Sequence, residues 1–288
     1  MQKLTVTDKY SGVRADVFVA SHNPKFSRSS LKLLFMQGLV NINGKPAKPG
    51  HKLRPGQTIS IDKSALTKRP PKIELPIIYE DKDVIVIDKP SGILTHSKGA
   101  INTEATVASF IRPKLTDKPS SNRAGIVHRL DRETSGVIIA AKNESVRQWL
   151  QKQFANRKVK KTYLAVLEGK PKEPTAIIDA PIARNPKKPQ TFKVSSLGKT
   201  AQTKYRLIKS MNINDKIYSL VELSPETGRT HQLRVHCSFI GHSIVGDSVY
   251  GKAGGQMRLH AKNLEIKLPN GVLKKFEAPL SAKFKEFV

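Results

Sequence analysis

The stretch GIVHRLDRETSGVIIAAK, residues 125–142, decides how the larger part of this chain is interpreted. Turns between strands usually carry Gly, Pro, Asn or Ser, whereas the insertion between these two apolar runs carries Arg129, Asp131, Arg132 and Glu133. A charged surface loop is one interpretation, because solvated charges collect in loops. The other is a carboxylate kept among cations for chemistry, and the sequence around the stretch bears on that choice.

Short β-rich runs surround this stretch on both sides, and turn residues separate them. They are DVIVIDKP, GIVHRL, GVIIAAK, TYLAVLEG, TAIIDAPI, TAQTKYRLIKS and IYSLVELSP. Helical spacing of apolar residues appears in ESVRQWLQKQFANRK and in THQLRVHCSFIG. The pattern predicts an α+β domain over residues 74–288, with a mainly antiparallel mixed sheet and flanking helices.

Residues 1–62 have a different pattern, with apolar positions at helical spacing up to Phe35 and alternation after Gly38. Asn43-Gly44 is a strong hairpin turn signal. A small helix-helix-hairpin domain is therefore predicted over residues 1–62. Residues 63–73, KSALTKRPPKI, carry two adjacent prolines and four cations, which predicts a linker.

The charge of the chain points to a polyanionic partner. Lysine and arginine number 51 against 23 acidic residues, for a formal net charge of +28. The excess is spread over both predicted domains, which suits a long track of phosphate contacts better than a basic tail does. A solubility role is the other interpretation of such a charge.

The chain carries neither a long uncharged apolar run nor a signal-peptide pattern at its start, so no membrane segment and a cytoplasmic location are expected. Cys237 is the only cysteine, which agrees with a reducing compartment and predicts a buried thiol.

Several common catalytic patterns are missing from the sequence. His231, His236, His242 and His260 do not have the spacing of a metal site, so no metal is expected. Ser135 lacks the glycine frame of a nucleophile elbow, and the phosphate-binding GxxxxGK[ST] pattern does not occur. Asp131, surrounded by cations, remains the candidate for chemistry.

The segment SRSSLKLLFMQGLVNINGKPAKPGHKLRPGQTI resembles the S-four-type RNA-binding domain over about fifty residues. The resemblance implies RNA binding and no chemistry by itself. The cations expected to contact phosphates are Arg28, Lys32, Lys45, Lys48 and Arg54.

Three clusters, HRLDRETSG, VKKTYLAVLEG and ETGRTHQLRVHCSFIGHSIVGD, together resemble the RluA-type pseudouridine synthases, from about Asp83 to the C-terminus. The resemblance implies that Asp131 is the catalytic residue, that Tyr163 stacks on the target uracil, and that Arg229 is the ion-pair partner of the aspartate. It also implies substrate-binding roles, which fall on Arg129, His128, Thr134 and Leu259. Arg129 would displace or replace the flipped base, and Leu259 would close the pocket.

The reaction implied is the isomerisation of uridine to pseudouridine in structured RNA, with large-subunit ribosomal RNA as the expected target and transfer RNA as the alternative. It needs no cofactor, and a monomer is expected. Asp131 could attack the anomeric carbon or remove the ribose 2′ proton, and the sequence leaves both routes open. A non-catalytic ribosome-associated RNA-binding protein and a base-removing glycosylase are the rival interpretations.

Overall fold

The structure is a computed structural model that describes residues 1–97, 104–117 and 123–288. Contacts divide the described chain into two compact units. The first unit contains residues 1–73, 96–97, 104–109 and 123, and the second contains residues 74–95, 110–117 and 124–288.

The first unit combines short strands with three helices. Its elements are β1 (Gln2–Thr5), a 3-10 turn (Asp8–Tyr10), α1 (Ala15–Ser21), α2 (Arg28–Met36), β2 (Val40–Ile42), β3 (Lys45–Pro46), β4 (Thr58–Ile61) and α3 (Ser64–Thr67). The strands pair antiparallel in the order β1-β4-β2-β3. The helix-helix-hairpin pattern predicted from the sequence is present, with β1 added at one edge.

Local sequence explains both the start of α2 and the hairpin that follows it. The Ser27 hydroxyl caps α2 by accepting from the Ser30 N–H at 3.2 Å. Asn43 and Gly44 both adopt positive φ angles, 48° and 81°, which a tight hairpin turn of this kind requires. Phe18, Leu31 and other buried apolar side chains of these elements form the core of the unit.

The predicted linker over residues 63–73 is corrected at its start. Residues Ser64–Thr67 form a helical turn, in which Ala65 and Leu66 pack against the core of the first unit. The Lys63 ammonium donates to Asn23 Oδ1 at 3.1 Å. These contacts extend the unit beyond Asp62, because two apolar side chains within KSALTK are enough to anchor one helical turn. A linker role for residues 68–73 stays a prediction.

The remaining helices and strands follow in chain order. They are β5 (Ile77–Glu80), β6 (Val84–Lys89), α4 (Val107–Ile111), a 3-10 turn (Arg112–Lys114), β7 (Ser135–Ala141), α5 (Glu144–Ala155), β8 (Lys160–Glu168), β9 (Thr175–Asp179), β10 (Ile182–Arg184), β11 (Phe192–Val194), β12 (Gln202–Ile213), β13 (Lys216–Pro225), α6 (Gln232–Phe239), β14 (Leu259–Lys267), β15 (Leu273–Glu277) and a 3-10 segment (Ala282–Phe287).

The large sheet of the second unit confirms the predicted α+β class. Its strands run in the order β5-β6-β7-β14-β8-β13-β12-β9, and β15 pairs with β14. The pairs are antiparallel except for the short parallel contact of β7 with β14. Strand β7 is buried along its whole length, as expected for the continuous apolar run GVIIAA.

The prediction of a strand at GIVHRL is wrong. Only Ile126 makes a bridge there, to Ala140. The reason lies in the side chain of His128, whose Nε2 accepts from the Ile139 N–H of β7 at 3.0 Å. An imidazole therefore occupies a hydrogen-bonding position that a paired strand would fill, and the chain leaves the sheet just before Asp131.

The thiol of Cys237 is buried in α6 as predicted, and burial raises its pKa to about 12. Within residues 1–97, 104–117 and 123–288, no helix is both long enough and apolar enough to span a lipid bilayer.

Candidate active site

One cavity of about 470 Å³ in the second unit gathers the residues predicted to act on the substrate. Its walls come from the loop before β7, from β8, from the loop that joins β13 to α6, and from the start of β14. All seven side chains predicted for catalysis or substrate binding line this cavity: Asp131, Tyr163, Arg229, Arg129, His128, Thr134 and Leu259.

The loop that carries Asp131 is held by the buried side chain of Lys89. Its ammonium donates to the carbonyl oxygens of Pro90, Ile93 and Arg132 at 2.9, 2.8 and 3.0 Å. Burial lowers the pKa of Lys89 to about 7. A buried ammonium is costly unless its donors are used, so these bonds tie the segment after β6 to the loop around Asp131.

Thr95 and Gly92 add further ties between the same two segments. The Thr95 hydroxyl donates to the Leu130 carbonyl at 2.8 Å and accepts from the Leu130 N–H at 3.2 Å. The Gly92 N–H donates to the Arg132 carbonyl at 2.8 Å. The backbone on either side of Asp131 is thus fixed from outside the loop, which is what a precisely oriented reacting group requires.

Asp131 keeps part of its carboxylate accessible, with 17% of the side chain exposed. Its Oδ2 lies 3.6 Å from Nη1 of Arg234 and 3.9 Å from Nε2 of His231. The Thr134 N–H donates to the Asp131 carbonyl at 3.1 Å and closes the turn. Both of these contacts fall on Oδ2, which therefore faces Arg234 and His231 together.

Arg234 is itself positioned by the buried carboxylate of Asp247. Nε and Nη2 of Arg234 each lie 2.7 Å from a carboxylate oxygen of Asp247, in a bidentate pair. Asp247 also accepts from the backbone N–H groups of Val249 and Tyr250. Burial acts to raise the pKa of Asp247, but the hydrogen bonds and charge of Arg234 outweigh burial and hold that pKa below its usual range. The fixed guanidinium turns its third nitrogen towards Asp131.

The predicted ion pair between Arg229 and Asp131 is corrected by this geometry, since Arg234 occupies that place. Nε of Arg229 donates instead to the Thr200 carbonyl at 3.0 Å. Arg229 lies before α6, on a loop whose backbone is held by Gln232, which accepts from the Arg229 N–H at 3.0 Å. Arg234 lies in the first turn of α6, where its side chain is buried.

Tyr163 and Leu259 supply the less polar part of the cavity. Tyr163 lies half-buried in β8, and burial together with the charge of Asp131 raises the pKa of its phenol, which stays neutral. Leu259 is buried at the start of β14, opposite Ala165 of β8. An aromatic ring and an aliphatic side chain on neighbouring strands suit a flat, uncharged ring such as a nucleobase.

His128 and Arg129 are adjacent in sequence but have different surroundings. The His128 ring stacks on Phe154 with centroids 4.6 Å apart, and burial lowers its pKa to about 3. Its Nε2 accepts from the backbone of β7, while the ring lines the cavity, and a substrate-binding role for His128 stays a prediction. Arg129 is exposed at the cavity, where it can reach a polyanion.

His236 and His242, which do not have the spacing of a metal site in the sequence, contact other groups of the protein. His236 contacts the Thr203 hydroxyl and the Ala180 carbonyl, both at 2.9 Å, and His242 contacts the Glu168 carbonyl at 2.9 Å. Within the described ranges, no three His, Cys, Asp or Glu residues cluster so as to hold a metal ion.

The cations predicted to bind RNA in the first unit are all exposed, but Arg28 differs from the rest. Its Nη2 lies 2.8 Å from Oδ2 of Asp16, and Asp16 is also paired with Arg14. Arg28 therefore has a structural bond, while 54% of its side chain remains exposed. The other four predicted contacts are Lys32, Lys45, Lys48 and Arg54.

Sequence reasoning missed Arg234, Asp247, His231, Tyr250 and the buried Lys89. The signal for Arg234 was present, because GRTHQLR contains a second arginine that falls within the predicted helix. Asp247 and Arg234 lie on either side of a turn. No pattern in the sequence predicts that they pair.

The chain is similar to known proteins of one family. The profile of the RNA pseudouridylate synthase family matches residues 83–239. The ribosomal large subunit pseudouridine synthase D of Borreliella burgdorferi is 35% identical and covers 99% of this chain and 92% of its own length. An uncharacterized RNA pseudouridine synthase of Bacillus subtilis is 34% identical over 99% of this chain and 96% of its own.

A solved structure is also similar. The human RNA pseudouridylate synthase domain containing 1 is 29% identical, with a TM-score of 0.61, and covers 73% of this chain and 86% of its own. The family match spans more than half of the chain, and the cavity residues 127–131, 134 and 225–234 lie inside it. The chain therefore belongs to the family of RNA pseudouridine synthases.

Proposed function

We propose that this protein isomerises specific uridines of large-subunit ribosomal RNA to pseudouridine, with Asp131 as the essential carboxylate. The target is supported by relatives named for the large ribosomal subunit, of which one aligns with 99% of the chain. Such a substrate fits a cytoplasmic enzyme. A monomeric enzyme is part of the same proposal.

The observation that carries the proposal is the partly exposed carboxylate of Asp131 in the wall of the cavity. Its backbone is fixed by Lys89 and Thr95, and one of its oxygens faces a buried arginine. An ionised carboxylate placed close to a bound ribose suits either attack on the anomeric carbon or removal of the 2′ proton.

In the proposed reaction, the bond from base N1 to ribose C1′ breaks and a bond from base C5 to C1′ forms. The proton on C5 leaves to solvent and N1 gains a proton, so nothing else is consumed. Arg234 places a positive charge 3.6 Å from Asp131 during this exchange, which is a favourable electrostatic contact for a carboxylate.

The target base has to leave its stack before the carboxylate can reach the sugar, which costs a few kcal/mol. Stacking on the ring of Tyr163 offsets about 1 to 3 kcal/mol of that cost. Arg129, exposed at the cavity, is suited to fill the space that the base vacates.

The exposed cations of the first unit would supply affinity for the phosphate backbone. The formal net charge of +28 implies many phosphate contacts, so RNA binding should weaken steeply as the salt concentration rises.

The proposal is tested by mapping pseudouridine in total RNA through carbodiimide-dependent primer-extension stops. The strains compared would carry the wild-type protein, no protein, or Asp131→Asn. We expect discrete stops in large-subunit ribosomal RNA that disappear in both altered strains.

Stops that disappear from transfer RNA instead would replace the proposed target. Stops that are lost without the protein but persist with Asp131→Asn would contradict the role of the carboxylate and favour a non-catalytic RNA-binding protein. Release of free uracil from the RNA would indicate a glycosylase.

A further inference from the structure

The hydroxyl of Tyr250 lies between a backbone N–H and an imidazole next to Asp131. The Phe192 N–H of β11 lies 2.9 Å from the Tyr250 oxygen, and that oxygen lies 2.8 Å from Nδ1 of His231. The other ring nitrogen of His231, Nε2, is 3.9 Å from Oδ2 of Asp131. A chain of polar contacts thus runs from a backbone amide to the carboxylate.

The protons in this chain can be assigned from donor and acceptor chemistry. A backbone N–H only donates, so the Tyr250 oxygen accepts from Phe192. Burial raises the pKa of the Tyr250 phenol, which keeps its own proton. Within the described part of the chain, the acceptor that Tyr250 faces is Nδ1 of His231. In a neutral imidazole an accepting Nδ1 leaves the proton on Nε2.

The imidazole is neutral near pH 7, because burial lowers the pKa of His231. The charged groups around it act in both directions. Asp131 and Asp247 raise its pKa, while Arg234 and Arg129 lower it. Nε2–H therefore faces the carboxylate as an uncharged donor.

The backbone also holds His231 in place. Its φ and ψ angles, 56° and 20°, lie in the left-handed region, which is uncommon for a residue other than glycine. Its ring packs edge-on against both Phe192 and Tyr250, with centroids 5.7 and 5.5 Å apart. A strained backbone that the surroundings maintain is a frequent property of functional sites.

We propose that Tyr250 fixes His231 in the Nε2–H tautomer and that His231 is thereby a positioning residue, which orients Oδ2 of Asp131 alongside Arg234. The inference rests on the proposed function, since it concerns the reacting carboxylate. The distance of 3.9 Å exceeds a hydrogen bond, and such contacts tighten when the substrate closes the site.

The experiment uses Tyr250→Phe in the full-length protein. This substitution removes the hydroxyl and keeps the aromatic ring on which Arg234 stacks at 5.1 Å. Tyr218→Phe is the matched control, because Tyr218 is also half-buried and packs against Phe287, away from the cavity-lining residues. Imidazole ¹⁵N chemical shifts report the tautomer of His231 without any substrate.

We expect the wild-type protein and Tyr218→Phe to show an unprotonated Nδ1 and a protonated Nε2 at His231. Tyr250→Phe should show a mixture of tautomers. Its single-turnover rate, measured as tritium released from large-subunit ribosomal RNA labelled at uridine C5, should fall about tenfold, which is the size of one hydrogen bond to a charged group. Its affinity for the same RNA should stay within about twofold, since no phosphate contact is lost.

His231→Gln sharpens the test, because the glutamine amide can return an N–H near the position of Nε2. It should keep more of the rate than His231→Leu, which has no donor. A protonated Nδ1 in the wild-type protein, or an unchanged rate in Tyr250→Phe, would overturn the inference.

These outcomes are separable from failure of the proposed function. If Asp131→Asn is inactive while Tyr250→Phe is fully active, only the inference fails. If the wild-type protein releases no tritium from this RNA, the proposed function fails, and the ¹⁵N measurement still decides the tautomer.

Discussion

Each unit of the molecule contains an aspartate surrounded by arginines, and the two are used differently. In the first unit, Asp16 is 4% exposed and is bonded by Arg14 and Arg28 at 2.8 to 3.2 Å. In the second unit, Asp131 is 17% exposed, and its Oδ2 lies 3.6 Å from Arg234 and 3.9 Å from His231. The carboxylate of Asp16 accepts close hydrogen bonds from two arginines, whereas Arg234 lies beyond hydrogen-bonding distance of Asp131.

The difference between the two aspartates arises from the arginine rather than from the acid. Arg234 commits two of its nitrogens to Asp247 and offers only the third to Asp131. An arginine that bonded Asp131 with both nitrogens of its fork would lower the reactivity of the carboxylate by occupying its oxygens. The bond with Asp247 therefore accompanies the longer distance, 3.6 Å, between Arg234 and Asp131.

The largest effect on stability and on rate is expected when Arg234 is removed. Arg234→Ala would leave Asp247 buried without its partner, and we expect a loss of about 3 to 5 kcal/mol in the free energy of unfolding. The single-turnover rate should fall at least about a hundredfold, since Asp131 also loses its counter-charge. Chemical denaturation and tritium release measure the two effects.

Arg229→Ala is the matched control for that substitution. It removes a bond to the Thr200 carbonyl at the surface, so the free energy of unfolding should change by about 1 kcal/mol or less. If Arg229→Ala lost as much rate as Arg234→Ala, the assignment of the ion pair to Arg234 would be wrong in solution.

Asp16→Asn tests the role of the aspartate in the first unit. Its effect should be smaller than that of Arg234→Ala and confined to stability. The hydrogen bonds and charges of Arg14 and Arg28 lower the pKa of Asp16 to about 2, which corresponds to about 2 kcal/mol of stability near neutral pH. Because the pKa is lowered on folding, this contribution is present above the ordinary pKa near 3.8 and is lost as the pH falls towards 2.

Denaturation of the wild-type protein and of Asp16→Asn between pH 2 and pH 7 measures that contribution. The two curves should converge at the acidic end and differ most near neutral pH. The rate of tritium release at saturating RNA should be the same for both proteins, and a large loss of rate in Asp16→Asn would blur the distinction between a structural and a reacting aspartate.

Much of the site could be predicted from the sequence, because its strongest residues stand in compact motifs. Asp131 and Tyr163 each occur in a short cluster, and the structure brings both of them to one cavity together with Leu259. The helices at residues 144–155 and 232–239 were also predictable, since their apolar spacing is regular.

The remaining features depend on contacts between distant parts of the chain. His128 replaces a strand pairing with a side-chain bond, so the GIVHRL run is apolar enough for a strand but does not form one. Lys89 looks like a solvated lysine in VIDKP, yet its three donors serve carbonyl groups up to 43 residues away. The sequence predicts Arg229 as the partner of Asp131, because the motif GRTHQLR contains two arginines and does not indicate which of them lies beside the carboxylate.

The proposed role of Asp131 is tested most directly by single-turnover tritium release in Asp131→Asn, with RNA affinity measured on the same preparation. We expect no release above background and a dissociation constant within about twofold of the wild-type value, because Asp131 would serve the chemistry and not the phosphate contacts. Turnover retained by Asp131→Asn would contradict the proposal that the carboxylate of Asp131 is the reacting group.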